Sequence, residues 1–190
     1  MGFFDSAILG LWLVFLGYWL FAATRVKRRA GGAPWRGAVL RAALAVGILV
    51  LIRELFRLRV WHIVPLAATH ISPITASAGV AICGLGVAIA IWARVYLGRN
   101  WGMPMSLREG HELVTTGPYA FVRHPIYTGI LLALIGSTLV HWFPRIVLLP
   151  VIFAYFIFAA RMEERSMQDQ FPNDYPAYLK RTKMLIPLLF

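Results

Sequence analysis

The chain has 190 residues, 59% of them hydrophobic, with a formal net charge of +11 and a mean hydropathy of +0.69. That apolar share exceeds the usual soluble range and indicates an integral membrane protein. A single cysteine, Cys83, excludes an internal disulfide and a cysteine-built metal site. The basic residues flank apolar stretches without an RNA- or DNA-binding motif, so membrane topology rather than nucleic acid accounts for the charge.

Five apolar segments follow in order: 4–24, 38–56, 73–97, 126–140 and 146–160. The first has the length of a bilayer crossing, about 20 residues. It lacks a basic leader and a small-residue cleavage site, so a retained helix is expected rather than a signal peptide. Segment 38–56 is interrupted by Arg41, Arg53 and Glu54, with Glu54 and Arg57 spaced to pair on one helical face at the membrane surface. Segment 73–97 is long enough to cross and carries Gly79, Cys83, Gly84, Gly86, Ala88 and Ala90, small residues that permit close helix contact. Gly129 and Ala133 do the same in 126–140. The last two segments, roughly 23 Å each at the helical rise, predict a tight hairpin turning through 141–145, with Pro150 early in the returning helix.

The expected fold is therefore all-α: a polytopic membrane protein of about five transmembrane helices with a C-terminal helical hairpin and a cytosolic pocket. Helices fill 1–97; a polar loop, the hairpin and a tail fill 98–190, the two halves forming one integrated domain. Arg25, Lys27, Arg28, Arg29, Arg36 and Arg41 crowd the first loop, which the positive-inside rule assigns to the cytosol. Alternation then puts the N-terminus outside. The segment 97–124 and the tail fall inside, with Arg99, Arg108, Arg123, Arg161, Arg165, Lys180, Arg181 and Lys183.

The polar cassette 117–129 runs straight into an apolar helix. Arg123, His124, Tyr119 and Tyr127 beside hydrocarbon are costly without partners, so a binding or catalytic role is expected there. Pro125 suits a first helical turn, which leaves His124 near the N-cap and unpaired N–H groups open to an anionic ligand. The hairpin returns Arg161, Glu163 and Glu164 to the same depth. Arg123 suits a lipid phosphate or a ligand carboxylate, and also fits the charge rule. Tyr175 and Tyr178 are expected to pack the tail; Trp101 and Met103 line a lipid entrance or anchor an interfacial segment. His62, His70 and His141 are too scattered to argue for a metal.

The runs Gly98-Arg99-Asn100-Trp101, Glu109-Gly110-His111-Glu112-Leu113-Val114-Thr115-Thr116-Gly117-Pro118-Tyr119 and Arg123-His124-Pro125-Ile126-Tyr127-Thr128-Gly129 precede a tail carrying Glu163-Glu164, Met167, Phe171, Tyr175 and Tyr178. Together they resemble the isoprenylcysteine carboxyl methyltransferase and phospholipid methyltransferase superfamily of membrane enzymes. The resemblance implies methyl transfer from S-adenosylmethionine to a lipid-borne acceptor, with a cytosolic cofactor pocket and a membrane-facing substrate entrance. It puts cofactor contacts on His111, Glu112, Leu113, Val114, Tyr119, His124, Pro125, Ile126, Tyr127 and Glu163. Three positions depart from the pattern: Pro172 replaces a usual Gly, Met167 a commoner Leu, and Ala159 the Arg associated with a prenylcysteine carboxylate, the nearest Arg being Arg161.

Arg161 and Glu164 are the catalytic candidates, and the acceptor decides between them. A carboxylate such as prenylcysteine needs a positioning cation, whereas a phospholipid amine must lose a proton, for which Glu164 is the candidate base. Two other classes compete. A nicotinamide-dependent sterol reductase has a similar layout, yet usually shows Asn-Tyr followed by Gly-Glu where this chain has His124-Pro125-Ile126-Tyr127-Thr128-Gly129-Ile130. A non-catalytic lipid-binding module would show an eroded polar set, whereas His124, Tyr127, Glu163 and Glu164 are all present.

Overall fold

The apolar runs become helices, one of them with Pro150 in its interior, and helices make up the regular elements of the described residues. The structure, a computed structural model, describes residues 2–23, 71–98, 112–140 and 142–187. Helix α1 is Phe3–Ala23, α2 Pro73–Leu97, α3 Pro125–Val140, α4 Trp142–Gln170 and α5 Tyr175–Arg181, with a 3-10 turn over Gly117–Ala120. Segment 38–56 with its Glu54–Arg57 pair, the loop residues 99–111 including Trp101 and Met103, and His62, His70 and His141 lie outside the described residues.

Helix α2 starts where local chemistry dictates. Ser72 accepts a hydrogen bond from the Thr75 amide at 3.1 Å, and Pro73 fills a first-turn position whose amide has no helical acceptor. Gly98 caps the other end with φ +53. Buried Arg94 ties that end to α1: Nη1 donates to the Gly98 carbonyl at 2.6 Å and Nη2 to that of Ala22 at 2.9 Å.

Helices α2 and α3 pack along much of their length because small residues meet on both faces. A Cβ built on Gly86 would lie 2.3 Å from the Ala133 nitrogen, and one on Gly136 2.3 Å from the Cys83 nitrogen. Gly79, Cys83, Gly86 and Ala90 are therefore part of this seam, as expected, while Ala88 is exposed and Gly84 turns to Leu11 of α1. Trp12 of α1 donates its indole N–H to Ser137 at 3.0 Å, which fixes α1 against α3.

Helices α1 and α2 are each long and apolar enough to cross a membrane; α3, at 16 residues, is apolar but shorter. Leu13, Val14, Leu16 and Leu20 on α1 and Val151 and Phe158 on α4 are exposed, a distribution that water does not favour and a lipid phase does. The fold is thus helical with two candidate spans among the described residues, rather than a demonstrated set of five.

The hairpin departs from expectation in two ways. Residues 142–145 are helical, so the turn is tighter than 141–145. Pro144 falls in the first turn, where a missing amide removes no helical bond. Helix α4 also continues to Gln170, past the expected end at 160, because its polar stretch is rich in Arg, Met, Glu and Gln, all good helix formers. Arg161, Glu163 and Glu164 consequently sit on a helix. Adjacent helical residues diverge by about 100°, so the two carboxylates reach different atoms of the residues they face.

Candidate functional site

The cassette is shaped first by Gly117. Its φ of +59 belongs to the left-handed region, and a Cβ there would meet the Tyr96 ring at 2.3 Å, so only glycine fits. The 3-10 turn that follows buries Pro118 and Tyr119. Tyr178 of α5 donates its hydroxyl to the Tyr119 carbonyl at 2.7 Å, anchoring the turn to the tail.

Beyond the turn, the C-terminal segment runs alongside the cassette. Val122 bridges Lys183 in parallel, the Arg123 amide donates to the Lys183 carbonyl at 2.8 Å, and the His124 amide to that of Met184 at 3.1 Å. Thr128 donates its hydroxyl to the Leu185 carbonyl at 2.6 Å. The amides of Arg123 and His124, which immediately precede α3, are thus satisfied by the tail. The reason is tertiary: three successive tail residues offer carbonyls in register with the entry to α3.

Above this frame, His124 lies between the two carboxylates of α4. Its Nε2 is 3.3 Å from Glu164 Oε1, and its Nδ1 is 3.6 Å from Glu163 Oε2. The Tyr127 hydroxyl donates to that same Glu163 oxygen at 3.1 Å. The His124 and Tyr127 rings stack with centroids 5.4 Å apart and planes 5° from parallel, and Phe156 of α4 packs on the other side of Tyr127 at 4.7 Å. Arg123 Nε donates to Glu164 Oε1 at 2.6 Å, while its Nη1 reaches the carbonyls of Leu179, at 3.4 Å, and Thr182.

The two carboxylates differ in surroundings. The Glu164 side chain is 12% exposed. Burial alone would raise its carboxyl pKa, but hydrogen bonds and charge from His124 and Arg123 outweigh that and hold it below the usual carboxylate range. Glu163 is 30% exposed, leaving it a solvent-facing side for a ligand. Burial, with Glu163 nearby, pushes the Tyr119 phenol well up. Burial also raises Tyr178, to about 12, against the lowering charges of Arg123 and Arg181.

The structure brings together His124, Tyr127, Glu163 and Glu164, with Pro125 and Ile126 buried beneath them. Val114 packs with Tyr119, Ile126 and Ala93, Leu113 is half-buried and Glu112 is exposed. Arg161 stands exposed on α4, outside this hydrogen-bonded cluster. His111 lies outside the described residues. Sequence reasoning missed the clamp made by Arg123 and the tail carbonyls, and the Phe156 stack. One signal pointed to the first: a basic residue beside the turn and a Glu pair at the hairpin exit, both at one depth.

On the side of α3 carrying Thr128 lies a cavity of about 680 Å³. Its lining, which includes Leu131, Leu132, Ile135, Phe153, Leu185 and Ile186, is almost wholly apolar. Among the described residues no group of three or more His, Cys, Asp and Glu is placed to hold a metal ion.

Comparison with known proteins covers the same region. The profile of the phospholipid methyltransferase family matches residues 74–174, more than half the chain. Similar proteins include the cobalt-zinc-cadmium resistance protein CzcN of Cupriavidus metallidurans, 32% identical over 124 residues, 64% of this chain and 53% of that protein. Protein-S-isoprenylcysteine O-methyltransferase B of Arabidopsis thaliana is 28% identical over 115 residues, 58% of each chain. The nickel-cobalt-cadmium resistance protein NccN of Alcaligenes xylosoxydans xylosoxydans is 32% identical over 108 residues, 55% of this chain and 48% of that one. The matches thus span about half the length of these relatives.

Proposed function

The chain belongs to the phospholipid methyltransferase family, and on that premise we propose that it is an S-adenosylmethionine-dependent membrane methyltransferase acting on a lipid-borne carboxylate, such as prenylcysteine or an analogous small amphiphile. The observation that carries the reading is the convergence of the Tyr127 hydroxyl and His124 Nδ1 on the half-exposed carboxylate of Glu163.

The residues present fit the methyl donor. S-adenosylmethionine, when bound, supplies a methyl group on a cationic sulfonium that leaves as a neutral thioether. An anionic Glu163 and the stacked His124 and Tyr127 rings are suited to a cation, a ring contact being worth about 0.5 to 2 kcal/mol. Glu112, Leu113, Val114 and Tyr119 lead into this cluster from the loop, and His111 precedes them in sequence. Pro125 and Ile126 seat the first turn of α3. The work assigned to these side chains is positioning, with the acceptor held in line behind the methyl carbon.

A carboxylate acceptor needs no general base, and this favours it over an amine. Glu164, the candidate base, is paired with Arg123 and has a lowered pKa, which makes it a weak proton acceptor. Arg161, exposed on α4 less than one turn before Glu164, is assigned to the acceptor's negative charge. The apolar cavity beside Thr128 suits the acceptor's hydrocarbon chain. Arg123, Arg161, Arg165, Lys180, Arg181 and Lys183 support a cytosolic position for this end of the chain.

The test is methyl transfer by the purified protein in lipid nanodiscs, offering labelled S-adenosylmethionine with a prenylcysteine or, separately, phosphatidylethanolamine. Base-labile label on the prenylcysteine, lost in Glu163→Ala and His124→Ala, is the expected result. Label on the amine alone would reject the carboxylate assignment. NADPH binding without binding of S-adenosylmethionine would replace the whole reading with a reductase, and donor binding without turnover of either acceptor would favour a non-catalytic module.

A further inference from the structure

We propose that Arg123 is a positioning residue for this site, clamping Glu164 to the C-terminal segment and so setting how His124 is presented beside Glu163. The inference rests on the reading that His124 and Glu163 hold the methyl donor, and it gives the tail a part in that site.

Three chain segments distant in sequence meet at one guanidinium. Arg123 itself precedes α3, its Nε bonds Glu164 on α4, and its Nη1 reaches Leu179 on α5 and Thr182 beyond it. The side chain is only 10% exposed, with Nε and Nη1 engaged by protein acceptors, so these donors serve the fold rather than a ligand phosphate or carboxylate. What it controls is Glu164. The carboxylate oxygen bonded to Arg123 Nε is the same oxygen that lies 3.3 Å from His124 Nε2. The other imidazole nitrogen faces Glu163. The position of that one oxygen therefore bears on the ring's rotation and its proton distribution.

The backbone reinforces the same link. Arg123 and His124 donate their amides to Lys183 and Met184, so the tail holds the main chain beneath the imidazole while the guanidinium holds the carboxylate beside it. Charge-assisted bonds from a planar fork fix direction as well as distance. A lysine ammonium is a single point charge and does not reproduce both the carboxylate bond and the two carbonyl bonds. Removing the guanidinium leaves Glu164 Oε1 with His124 as its remaining partner and frees the tail carbonyls.

The experiment compares wild type with Arg123→Gln, Arg123→Lys, Glu164→Gln and the double variant Arg123→Gln/Glu164→Gln in nanodiscs. Readouts are the ring-nitrogen NMR signals of labelled histidine, assigned to His124 by a His124→Gln control, the affinity for S-adenosylmethionine and the Tm. Arg123→Gln should move the His124 ring signals and weaken donor binding by roughly tenfold, the scale of a lost charge-assisted hydrogen bond, at a temperature where it remains folded. Arg123→Lys should fall between it and wild type. The double variant should bind about as weakly as the worse single one, because both changes break one linkage. Unmoved His124 signals in a folded Arg123→Gln or Arg123→Lys protein overturn the proposal, as does fully additive loss in the double variant. If wild type itself does not bind S-adenosylmethionine, the methyl-donor reading falls, and the ring-nitrogen signals alone decide the clamp.

Discussion

Tyr127 and Glu163, 36 residues apart in sequence, face each other across the hairpin with the phenol donating to Oε2 at 3.1 Å. The same phenol ring lies parallel to His124, so an aromatic stack and a carboxylate are held in one fixed relation. The spacing His-x-x-Tyr places one ring just before α3 and the other on its first turn. The extension of α4 past residue 160 brings the carboxylate to them.

Tyr127→Phe removes the donor while keeping the ring against His124 and Phe156. The Glu163 carboxylate is then free to rotate away from the stack. Affinity for S-adenosylmethionine should fall about fivefold, corresponding to the roughly 1 kcal/mol of one hydrogen bond. Calorimetric titration checks this, and an unchanged affinity would count against Glu163 as a donor contact.

Acid stability should report the Glu164 linkage. Its folded pKa is lowered, so the pairing stabilises the protein above the unfolded glutamate value, about 4.3, and that stabilisation fades as pH falls through this value towards the folded one. Glu164→Gln should therefore be less stable than wild type near neutrality, with the gap narrowing on acidification. Thermal unfolding at stepped pH measures it; a gap constant across pH would mean that the carboxylate charge is not what Arg123 and His124 hold.

The helix seam yields a contrast within one residue type. Gly86 and Gly136 meet opposing backbone where a Cβ would be 2.3 Å away, whereas Gly10 and Gly17 of α1 have nothing within 4 Å. Gly86→Leu should destabilise by about 3 kcal/mol or more through forced separation of α2 and α3. Gly10→Ala and Gly17→Ala should be neutral or stabilising by up to about 1 kcal/mol, the helix-propensity difference. Unfolding in detergent distinguishes them, and equal effects would refute the close packing.

These glycines also mark where the sequence was readable. Small residues at helical spacing announce a seam, an apolar run of spanning length announces α2, and the His-Pro-x-Tyr run with a later Glu pair announces a site. The tail was not readable. Nothing local in Thr182 to Leu185 specifies that their carbonyls will meet Arg123, His124 and Thr128, because that register depends on where α4 and α5 end. Arg123 was misleading for the same reason: a juxtamembrane arginine satisfies the charge rule whether or not a buried carboxylate awaits it. The length of α4 was hidden by hydropathy, which stops at residue 160, although helix propensity does not.

Tyr178→Phe tests the tail from its far end. The hydroxyl spans 59 residues to the Tyr119 carbonyl at 2.7 Å in a buried setting, so its loss leaves that acceptor unpaired, at a cost of about 1 to 3 kcal/mol. The expected result is a lower Tm with faster amide exchange in both the 117–122 turn and the tail. Faster exchange in the tail alone would show that the two segments are not held together by this bond.

The apolar cavity gives a prediction about acceptor size. Leu132 and Ile135 face it from α3, and Ile135 is 44% exposed, so enlarging that side chain meets little resistance from packed neighbours. If the cavity takes the acceptor's hydrocarbon chain, Ile135→Trp or Leu132→Trp should lower kcat/KM for a long-chain acceptor by about tenfold or more, the scale of losing a few buried methylenes. A short-chain analogue should be spared, because it does not reach the filled volume. Affinity for S-adenosylmethionine should stay at the wild-type value, since the change is on the Thr128 side of α3 rather than the side facing Glu163. Equal loss for long and short acceptors would detach the cavity from acceptor recognition, whereas a loss of donor affinity would mean that the two sides of α3 are not independent.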